Sequence, residues 1–135
     1  MIREVKDTEQ KQILVVDDEE EILCLLKEVF ESADYGVWTA DNAEDALNIL
    51  KTNILKVIFL DLNLPGMSGL ELCKKIREKD QIAIIHALTG YSNFFGLLEC
   101  RAAGFDDFFT KPVPIDIILK AAEEAFEKLA RWKMD

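Results

Sequence analysis

The chain contains 135 residues, a length that suits one compact domain with a sizeable core. Hydrophobic residues make up 50% and charged residues 31%, a balance that fits neither a disordered nor a membrane-embedded protein. The formal net charge of −10 repels phosphate groups, so we expect no direct binding to nucleic acid and no adhesion to an anionic membrane.

The cysteines and the N-terminal residues indicate the compartment. Cys24, Cys73 and Cys100 are widely spaced, which fits neither a disulfide framework nor a zinc site. We therefore expect reduced thiols buried in the core. Residues 1–12 contain no apolar stretch with a cleavage site, so no secretory signal is visible and we expect a cytoplasmic location.

Strand and helix patterns alternate along the chain. Five short apolar segments predict strands, at Ile13–Val16, Gly36–Ala40, Lys56–Leu60, Ile82–Leu88 and Phe105–Phe109. Helical periodicity occupies the segments between them and the segment after the last. Right-handed crossovers place helices on both faces of a parallel sheet, so the pattern predicts a doubly wound α/β fold with five strands and five helices.

Apolar stripes predict the helix faces that pack on the sheet, and polar residues predict where helices begin. The stripes comprise Ile22, Leu25, Leu26 and Val29 in the first helix, Ala43, Ala46, Leu47 and Leu50 in the second, and Ile115, Ile118, Leu119, Ala122 and Phe126 in the fifth. The capping-box pattern occurs at Asp41-x-x-Glu44 and at Ser68-x-x-Glu71, and Pro114 suits the first turn of the fifth helix.

Charged and polar residues follow four of the predicted strands. Asp17 and Asp18 follow the first, Asp61 the third and Thr89 the fourth, and Lys111 comes shortly after the fifth. In an open α/β sheet the functional site lies beyond the carboxyl ends of the strands, so we expect these side chains to converge there. Each has a simple structural explanation alone, as a helix start or a turn, and it is their joint occurrence that indicates a site.

Three carboxylates beside a single ammonium leave an excess of negative charge, which a divalent cation would neutralise. A few hard oxygen ligands with open positions favour Mg²⁺ over Zn²⁺ or a caged Ca²⁺. One carboxylate can then attack phosphorus while the cation, Lys111 and Thr89 hold the phosphoryl oxygens. The sequence therefore predicts an aspartyl phosphate.

These residues resemble the receiver domain of bacterial two-component response regulators, from about Gln12 to Leu129. The similarity rests on Asp17-Asp18-Glu19, on DLNLPGMSG over Asp61–Gly69, on Leu88-Thr89-Gly90 and on GFDDFFTKP over Gly104–Pro112. It implies a flavodoxin-like sheet with strand order 2-1-3-4-5. It also implies a single, chemotaxis-regulator-like domain over residues 1–135, with a core over about 12–129, an extension over 1–11 and a short tail over 130–135.

The resemblance implies a role for each residue of the metal and phosphoryl site. Asp61 would accept the phosphoryl group, and Asp18 would bind Mg²⁺ directly. Asp17 would act through a metal-bound water, and the backbone carbonyl of Asn63 would complete the protein ligands. Lys111 would pair with a phosphoryl oxygen, from a position next to a cis peptide bond to Pro112.

Further residues match positions that transmit or tune the signal in this family. Thr89 would bind a phosphoryl oxygen and move inward, and the ring of Phe108 would rotate into the space it leaves. Asn63 and Tyr91 occupy positions that tune hydrolysis of the acyl phosphate. His86 replaces an expected apolar residue; we expect a hydrogen-bonded or partly exposed structural histidine, with pH sensing as the alternative.

The resemblance also implies partners. The phosphoryl donor would be a sensor histidine kinase or a histidine phosphotransfer protein, docking near Leu23 and Cys24 on the first helix. Output to a partner of unknown identity would use the face formed by the fourth helix, the fifth strand and the fifth helix. The domain would be no enzyme toward other substrates, because it would catalyse only its own phosphorylation and dephosphorylation.

The fourth helix carries more apolar surface than one buried stripe needs. Phe95, Leu98 and Ala102 are expected to face the sheet, which leaves Phe94 and Leu97 outside. Their exposure suggests a homodimer or a partner contact through the output face, and burial against a neighbouring helix is the alternative.

Other functions compatible with this architecture fit less well. A flavodoxin-like cofactor site needs backbone donors where Asp17-Asp18-Glu19 presents acids. A haloacid-dehalogenase phosphatase needs Asp-x-Asp, and here the two aspartates are adjacent. The remaining alternative is a receiver-fold module that only binds proteins or dimerises, excised from a larger regulator or hybrid kinase.

Overall fold

The computed structural model describes residues 11–90 and 94–133. Five parallel strands form one sheet, namely β1 (Gln12–Val16), β2 (Gly36–Ala40), β3 (Val57–Asp61), β4 (Ile84–Thr89) and β5 (Asp107–Thr110). Five helices alternate with them, namely α1 (Glu20–Ser32), α2 (Ala43–Thr52), α3 (Gly69–Lys79), α4 (Phe94–Ala103) and α5 (Ile115–Trp132). The strand order is β2-β1-β3-β4-β5, which confirms the predicted doubly wound, flavodoxin-like fold.

The central strands β1, β3 and β4 are buried on both faces. Successive side chains of a strand point to opposite faces, so Leu14 and Ile85 join a core under α2, α3 and α4, whereas Ile13 and Ile84 join a core under α1 and α5. Burial on both faces explains why these segments appear in the sequence as continuous apolar runs. Within the described residues, no helix is long and apolar enough to cross a membrane.

The packed faces of α1 and α5 differ in detail from the predicted stripes. Leu25 is 45% exposed and Ile115 47% exposed, so both predictions were wrong. Leu23 packs against the α1/α5 core instead, and Phe30 is fully buried there. In α1 the packed face is shifted from Leu25 toward Leu23, because the sheet decides the rotation of the helix about its axis. In α5 the rest of the predicted stripe packs as expected, and Ile115 is exposed as the first residue of the helix.

The prediction for α4 was also wrong. Leu98 is 50% exposed and Ala102 is exposed, whereas Cys100 and Ala103 are buried against the sheet. Leu97 is 41% exposed, as predicted. An apolar helix offers several possible stripes, and here the small side chains form the packed one. The predictions for the side chains of Phe94 and Phe95 lie outside the described residues.

Two further predictions need correction. Cys24 is exposed on α1, whereas Cys73 and Cys100 are buried free thiols as expected. The N-cap of α2 is Asn42, whose Oδ1 accepts a hydrogen bond of 2.8 Å from the backbone N–H of Asp45, so the capping box at Asp41 was wrong by one residue. Both side chains can cap a helix, and the true start is set by which one reaches the third helical N–H.

The other two helix starts agree with the sequence. Ser68 and Glu71 form the capping box of α3: the Ser68 hydroxyl accepts from the Glu71 N–H at 3.2 Å, and the Ser68 N–H donates to Glu71 Oε1 at 3.4 Å. Pro114 is the N-cap of α5, one residue before the first turn in which it was predicted, so this start agrees to within one residue. Both hydrogen bonds at the start of α3 therefore form between residues three positions apart in the sequence.

Arg77 joins three parts of the fold through its guanidinium group. It donates to the carbonyl of Gly104 at 2.9 Å and to that of Ala83 at 2.7 Å, and it pairs with Asp106 at 2.8 Å. Asp106 also accepts from the backbone N–H of Ile85 at 2.8 Å. This network fixes the end of α3 to the beginning of β4 and to the turn between α4 and β5.

His86 is buried in the centre of the sheet, where it stacks on Phe59 with ring centroids 4.2 Å apart. Its Nδ1 lies 3.2 Å from the carbonyl of Ile58, a hydrogen bond that requires a proton on Nδ1. Burial lowers the pKa of His86, although the Ile58 carbonyl and the charges of Asp107 and Asp106 oppose the shift. The structure thus bears out a hydrogen-bonded structural histidine but not a partly exposed one.

Acid conditions should reveal this burial. An unfolded chain binds a proton at His86 near the ordinary pKa of 6.5, whereas the folded chain resists it, so stability falls as the pH drops below that value. The free energy of unfolding should therefore change with pH by up to about 1.4 kcal/mol per pH unit because of His86. We expect His86→Phe, which retains a planar ring, to remove this contribution. Urea unfolding of both proteins between about pH 5 and 7 measures it; parallel curves would contradict the prediction.

Candidate functional site

Three aspartates meet at the carboxyl edge of the sheet. Asp17 follows β1 and is fully buried, Asp18 follows it and is exposed, and Asp61 ends β3 and is 4% exposed. Because β1 and β3 are paired in parallel, with Val16 opposite Leu60, the two strand ends lie side by side. One carboxylate oxygen from each aspartate lies within 4.8 Å of the others. The fold therefore brings together the three acids that the sequence singled out.

Lys111 is the cation of this cluster. Its Nζ lies 2.6 Å from Oδ2 of Asp17, 3.1 Å from Oε1 of Glu19 and 3.4 Å from Oδ2 of Asp61. The Lys111 backbone N–H donates to the carbonyl of Thr89 at 2.7 Å, which holds the start of the loop after β5 against the end of β4. The peptide bond between Lys111 and Pro112 is cis, as the resemblance implied.

The cluster shifts the protonation of its members. Burial, assisted by the charge of Asp17, raises the pKa of Asp61 to about 6, against the lowering effects of the Asn63 N–H and of Lys111. Burial disfavours the charged form of Lys111, but its pairing with Asp17, Asp61 and Glu19 outweighs this effect and raises the lysine pKa. One ammonium group therefore only partly offsets the repulsion among the carboxylates.

The donor set fits a hard divalent cation. All three side chains offer carboxylate oxygens, which are the ligands that Mg²⁺ prefers. Oδ1 of Asp17 accepts from the backbone N–H of Glu19 at 2.9 Å, but the buried Oδ2 accepts no hydrogen bond from the described residues. Its contact with Lys111 Nζ at 2.6 Å is an ion pair. The buried carboxylate of Asp17 is therefore held in the cluster by one backbone N–H and one ammonium group.

The loop after Asp61 is held close to α3 by a glycine. The Asn63 N–H donates to Oδ1 of Asp61 at 3.2 Å, and the Gly69 N–H donates to the carbonyl of Leu62 at 3.0 Å. A Cβ atom on Gly69 would lie 2.2 Å from the Asp61 carbonyl oxygen and 2.7 Å from Leu62 Cα. No larger residue fits there without displacing the backbone that carries Asp61.

The remaining site predictions concern Thr89, Phe108, Asn63 and Tyr91. Thr89 is buried at the end of β4. It follows Leu88, the β4 residue that lies opposite Asp61 of β3. Phe108 is half-buried in β5, packs on the core under α4 and borders a cavity of about 330 Å³. Asn63 is exposed beside Asp61. Tyr91 lies outside the described residues.

Two residues contribute to the site beyond the predicted set. Glu19 accepts a hydrogen bond from Lys111 at 3.1 Å, and Gly69 permits the close approach of α3 to the Asp61 loop. Both occur in the motifs quoted above, but sequence spacing says nothing about which atoms they contact. The signal for Glu19 was its place as a third consecutive acid, and that for Gly69 its place directly after the helix-capping Ser68.

Comparison with known proteins agrees with the fold. The model of the response regulator receiver domain family matches residues 13–123. The PhoP regulator of alkaline phosphatase synthesis from Bacillus subtilis is 40% identical over 102 residues, which cover 76% of this chain but 42% of PhoP. The chain thus spans less than half of that relative's length.

Two relatives of similar size match over most of their length. Sporulation initiation phosphotransferase F of Bacillus subtilis is 32% identical over 114 residues, which cover 84% of this chain and 92% of that protein. The crystal structure of a CheY-like receiver domain from Methanospirillum hungatei superimposes with a TM-score of 0.87 at 28% identity, covering 91% and 98% of the two chains. The chain therefore belongs to the response regulator receiver domain family, a family of signalling domains in two-component systems.

Replacing Gly69 tests the close approach of α3. Gly69→Ala should lower the free energy of unfolding by about 1–3 kcal/mol, because its methyl group would overlap the backbone of Asp61 and Leu62. Gly90→Ala is the matched control, since a Cβ atom at Gly90 would meet no described atom within 4 Å. Urea unfolding measures both, and equal stabilities would show that the loop yields without cost.

Neutralising Asp61 tests the repulsion in the cluster. The Asp61 pKa of about 6 exceeds the ordinary value of 3.8, so the folded chain binds a proton at Asp61 more tightly than the unfolded chain does. This difference stabilises the folded chain fully below pH 3.8, and the stabilisation disappears as the pH rises through 6. We expect Asp61→Asn to stabilise the metal-free protein by about 1–3 kcal/mol near pH 7.5, and much less near pH 4.

Glu28→Gln, which removes an exposed negative charge from α1, is the matched control and should change stability little. Added Mg²⁺ should stabilise the unsubstituted protein more than Asp61→Asn, because the cation relieves the same repulsion. Chemical unfolding with a chelator and with Mg²⁺ measures both effects. A less stable Asp61→Asn at neutral pH would contradict the prediction.

Proposed function

We propose that Asp61 is the phosphoacceptor of a Mg²⁺-dependent receiver and that its phosphorylation changes the output face formed by α4, β5 and α5. The observation that carries this proposal is the geometry at Asp61, a buried carboxylate with Lys111 Nζ at 3.4 Å and oxygens of Asp17 and Asp18 within 4.8 Å. Buried acids of like charge are costly, so their assembly indicates a function that uses them.

The residues that would hold Mg²⁺ are Asp17, Asp18 and Asp61, with the backbone carbonyl of Asn63. The bound cation would supply charge neutralisation for phosphoryl oxygens, which a single ammonium group supplies only in part. The buried Oδ2 of Asp17, which pairs with Lys111 at 2.6 Å, and the clustered oxygens of the other two aspartates support this assignment. Asp17 would act through a cation-bound water and Asp18 as a direct ligand.

The proposed reaction transfers a phosphoryl group from a phosphohistidine. A carboxylate oxygen of Asp61 attacks phosphorus, the new O–P bond forms as the N–P bond breaks, and the imidazole leaves with the electron pair and takes up a proton. Lys111 pairs with one phosphoryl oxygen, which requires it to exchange its contact with Asp61 for one with the incoming group. Burial of Asp61 limits access of water to the product.

The proposed signal starts from added charge and new acceptor oxygens at Asp61. Thr89 donates its hydroxyl proton to a phosphoryl oxygen, and Phe108 rotates inward after it. The half-buried ring and the adjoining cavity of about 330 Å³ give Phe108 room on its outer side. Asn63 and Tyr91 would tune hydrolysis of the acyl phosphate, and for Tyr91 the basis is its place in the sequence alone.

The proposed partners are a sensor histidine kinase or a histidine phosphotransfer protein as donor and a separate output protein. Cys24 and Leu25 are exposed on α1, the helix that follows Asp18, and provide an apolar surface for the donor, whereas Leu23, predicted as part of that surface, packs against the core. Leu97 and Leu98 on α4 are exposed on the output face, where a homodimer or an output protein would bind. On this proposal the domain catalyses only its own phosphorylation and dephosphorylation, in the cytoplasm.

Intact mass tests the proposal after incubation with Mg²⁺ and acetyl phosphate. The unsubstituted chain should gain the mass of one phosphoryl group, and Asp61→Ala should gain none, because the nucleophilic oxygen is absent. Asp41→Ala is the control and should gain the group normally, since Asp41 is exposed and outside the cluster. No gain by the unsubstituted chain with this donor or with a kinase would favour a module that only binds proteins.

A further inference from the structure

A groove lies at the end of the molecule opposite the carboxylate cluster. It lies between the C-terminal ends of α2 and α3 and beside the segment that enters β3, and its cavity volume is about 430 Å³. Leu47, Leu50, Leu55 and Ile76 provide its apolar lining. We call this cavity the α2–α3 groove. It lies at the amino ends of β3 and β4, whereas the carboxylates lie at the carboxyl ends, so the two sites are separated by the length of the sheet.

An exposed isoleucine marks the edge of the α2–α3 groove. Ile54 is 86% exposed although the next residue, Leu55, is 3% exposed. Leaving an isoleucine in water is unfavourable, and an exposed apolar side chain continuous with an apolar groove is typical of an interaction surface. The groove thus offers apolar area that a partner can cover.

The rim of the groove is basic, in contrast to the whole chain. Lys51, Lys56, Lys75 and Lys79 line it together with two acids, Glu78 and Asp80, whereas the formal net charge of the chain is −10. Lys56 pairs with Asp80 at 2.8 Å. Among residues 11–90 and 94–133, the other three lysines form no ion pair. Three ammonium groups therefore surround an apolar floor without a carboxylate partner from the part of the chain that the structure describes.

We propose that the α2–α3 groove binds an acidic amphipathic segment of another protein. Apolar side chains of that segment cover Ile54 and the groove lining, and its carboxylates pair with Lys51, Lys75 and Lys79. The acidic remainder of the chain repels a second copy and repels an extended anionic surface such as a membrane or a nucleic acid. A short segment meets only the local lysines, so charge complementarity favours it.

Three synthetic helical peptides of equal length test the proposal by NMR titration of the whole chain. The first carries glutamates with leucines on one face, the second has alanines for the leucines, and the third has lysines for the glutamates. We expect the first to shift amide signals around Ile54 and along Lys75–Lys79, and to bind at least about tenfold more tightly than the others. Its affinity should fall as salt is added.

Charge reversal locates the binding site. The double variant Lys51→Glu/Lys75→Glu and the single variant Ile54→Asp should each weaken binding of the first peptide by about tenfold. The double variant Lys120→Glu/Lys128→Glu on α5 makes the same change in net charge and should bind as the unsubstituted chain does. All of these positions are exposed, and thermal unfolding confirms that each variant folds.

Several results would overturn the proposal. They are the absence of shifts at the groove, equal binding of the basic peptide, or an equal loss of affinity in the α5 variant. Sedimentation that shows self-association abolished by Ile54→Asp would assign the groove to a second copy instead. Binding to phosphatidylglycerol vesicles without binding to the acidic peptide would assign it to a membrane.

Discussion

The interaction on which the site depends is the contact of Lys111 with the buried carboxylates of Asp17 and Asp61. These acids lie at the ends of adjacent parallel strands, where burial and mutual repulsion disfavour their charged forms. Lys111 approaches Asp17 to 2.6 Å and Asp61 to 3.4 Å and offsets part of that cost. The balance leaves Asp61 with a pKa of about 6, so one ammonium group does not fully offset the cost of a charged Asp61.

Several features of the fold hold these groups in place. The capping box at Ser68 and the missing side chain of Gly69 let α3 begin directly against the Asp61 loop. Arg77, at the other end of α3, binds the carbonyl of Gly104 and the carboxylate of Asp106, next to the start of β5. One helix therefore contacts both the loop of Asp61 and the turn that precedes β5.

Much of the fold could be predicted from the sequence because its signals are local. Buried parallel strands appear as apolar runs, and the acids that end them appear directly after those runs. Helix rotation could not be predicted reliably: Leu25 and Leu98 are exposed although each matched an apolar stripe. A stripe permits more than one rotation, and only packing against the sheet selects among them. Cys24 lies outside the apolar stripe of α1 and is exposed; its expected burial was wrong because residue type alone does not decide which side of a helix a residue occupies.

The sequence by itself determined the alternation of strands and helices, the residue types at the strand ends and the family to which they belong. Tertiary structure alone decided how far apart those residues lie, that Glu19 shares Lys111 with Asp17, and that His86 stacks on Phe59. It also gathered lysines from two helices and a connecting segment around one apolar groove. The physical reason is that periodicity and capping act within a few residues, whereas distances and electrostatic fields arise between segments that only the folded chain brings together.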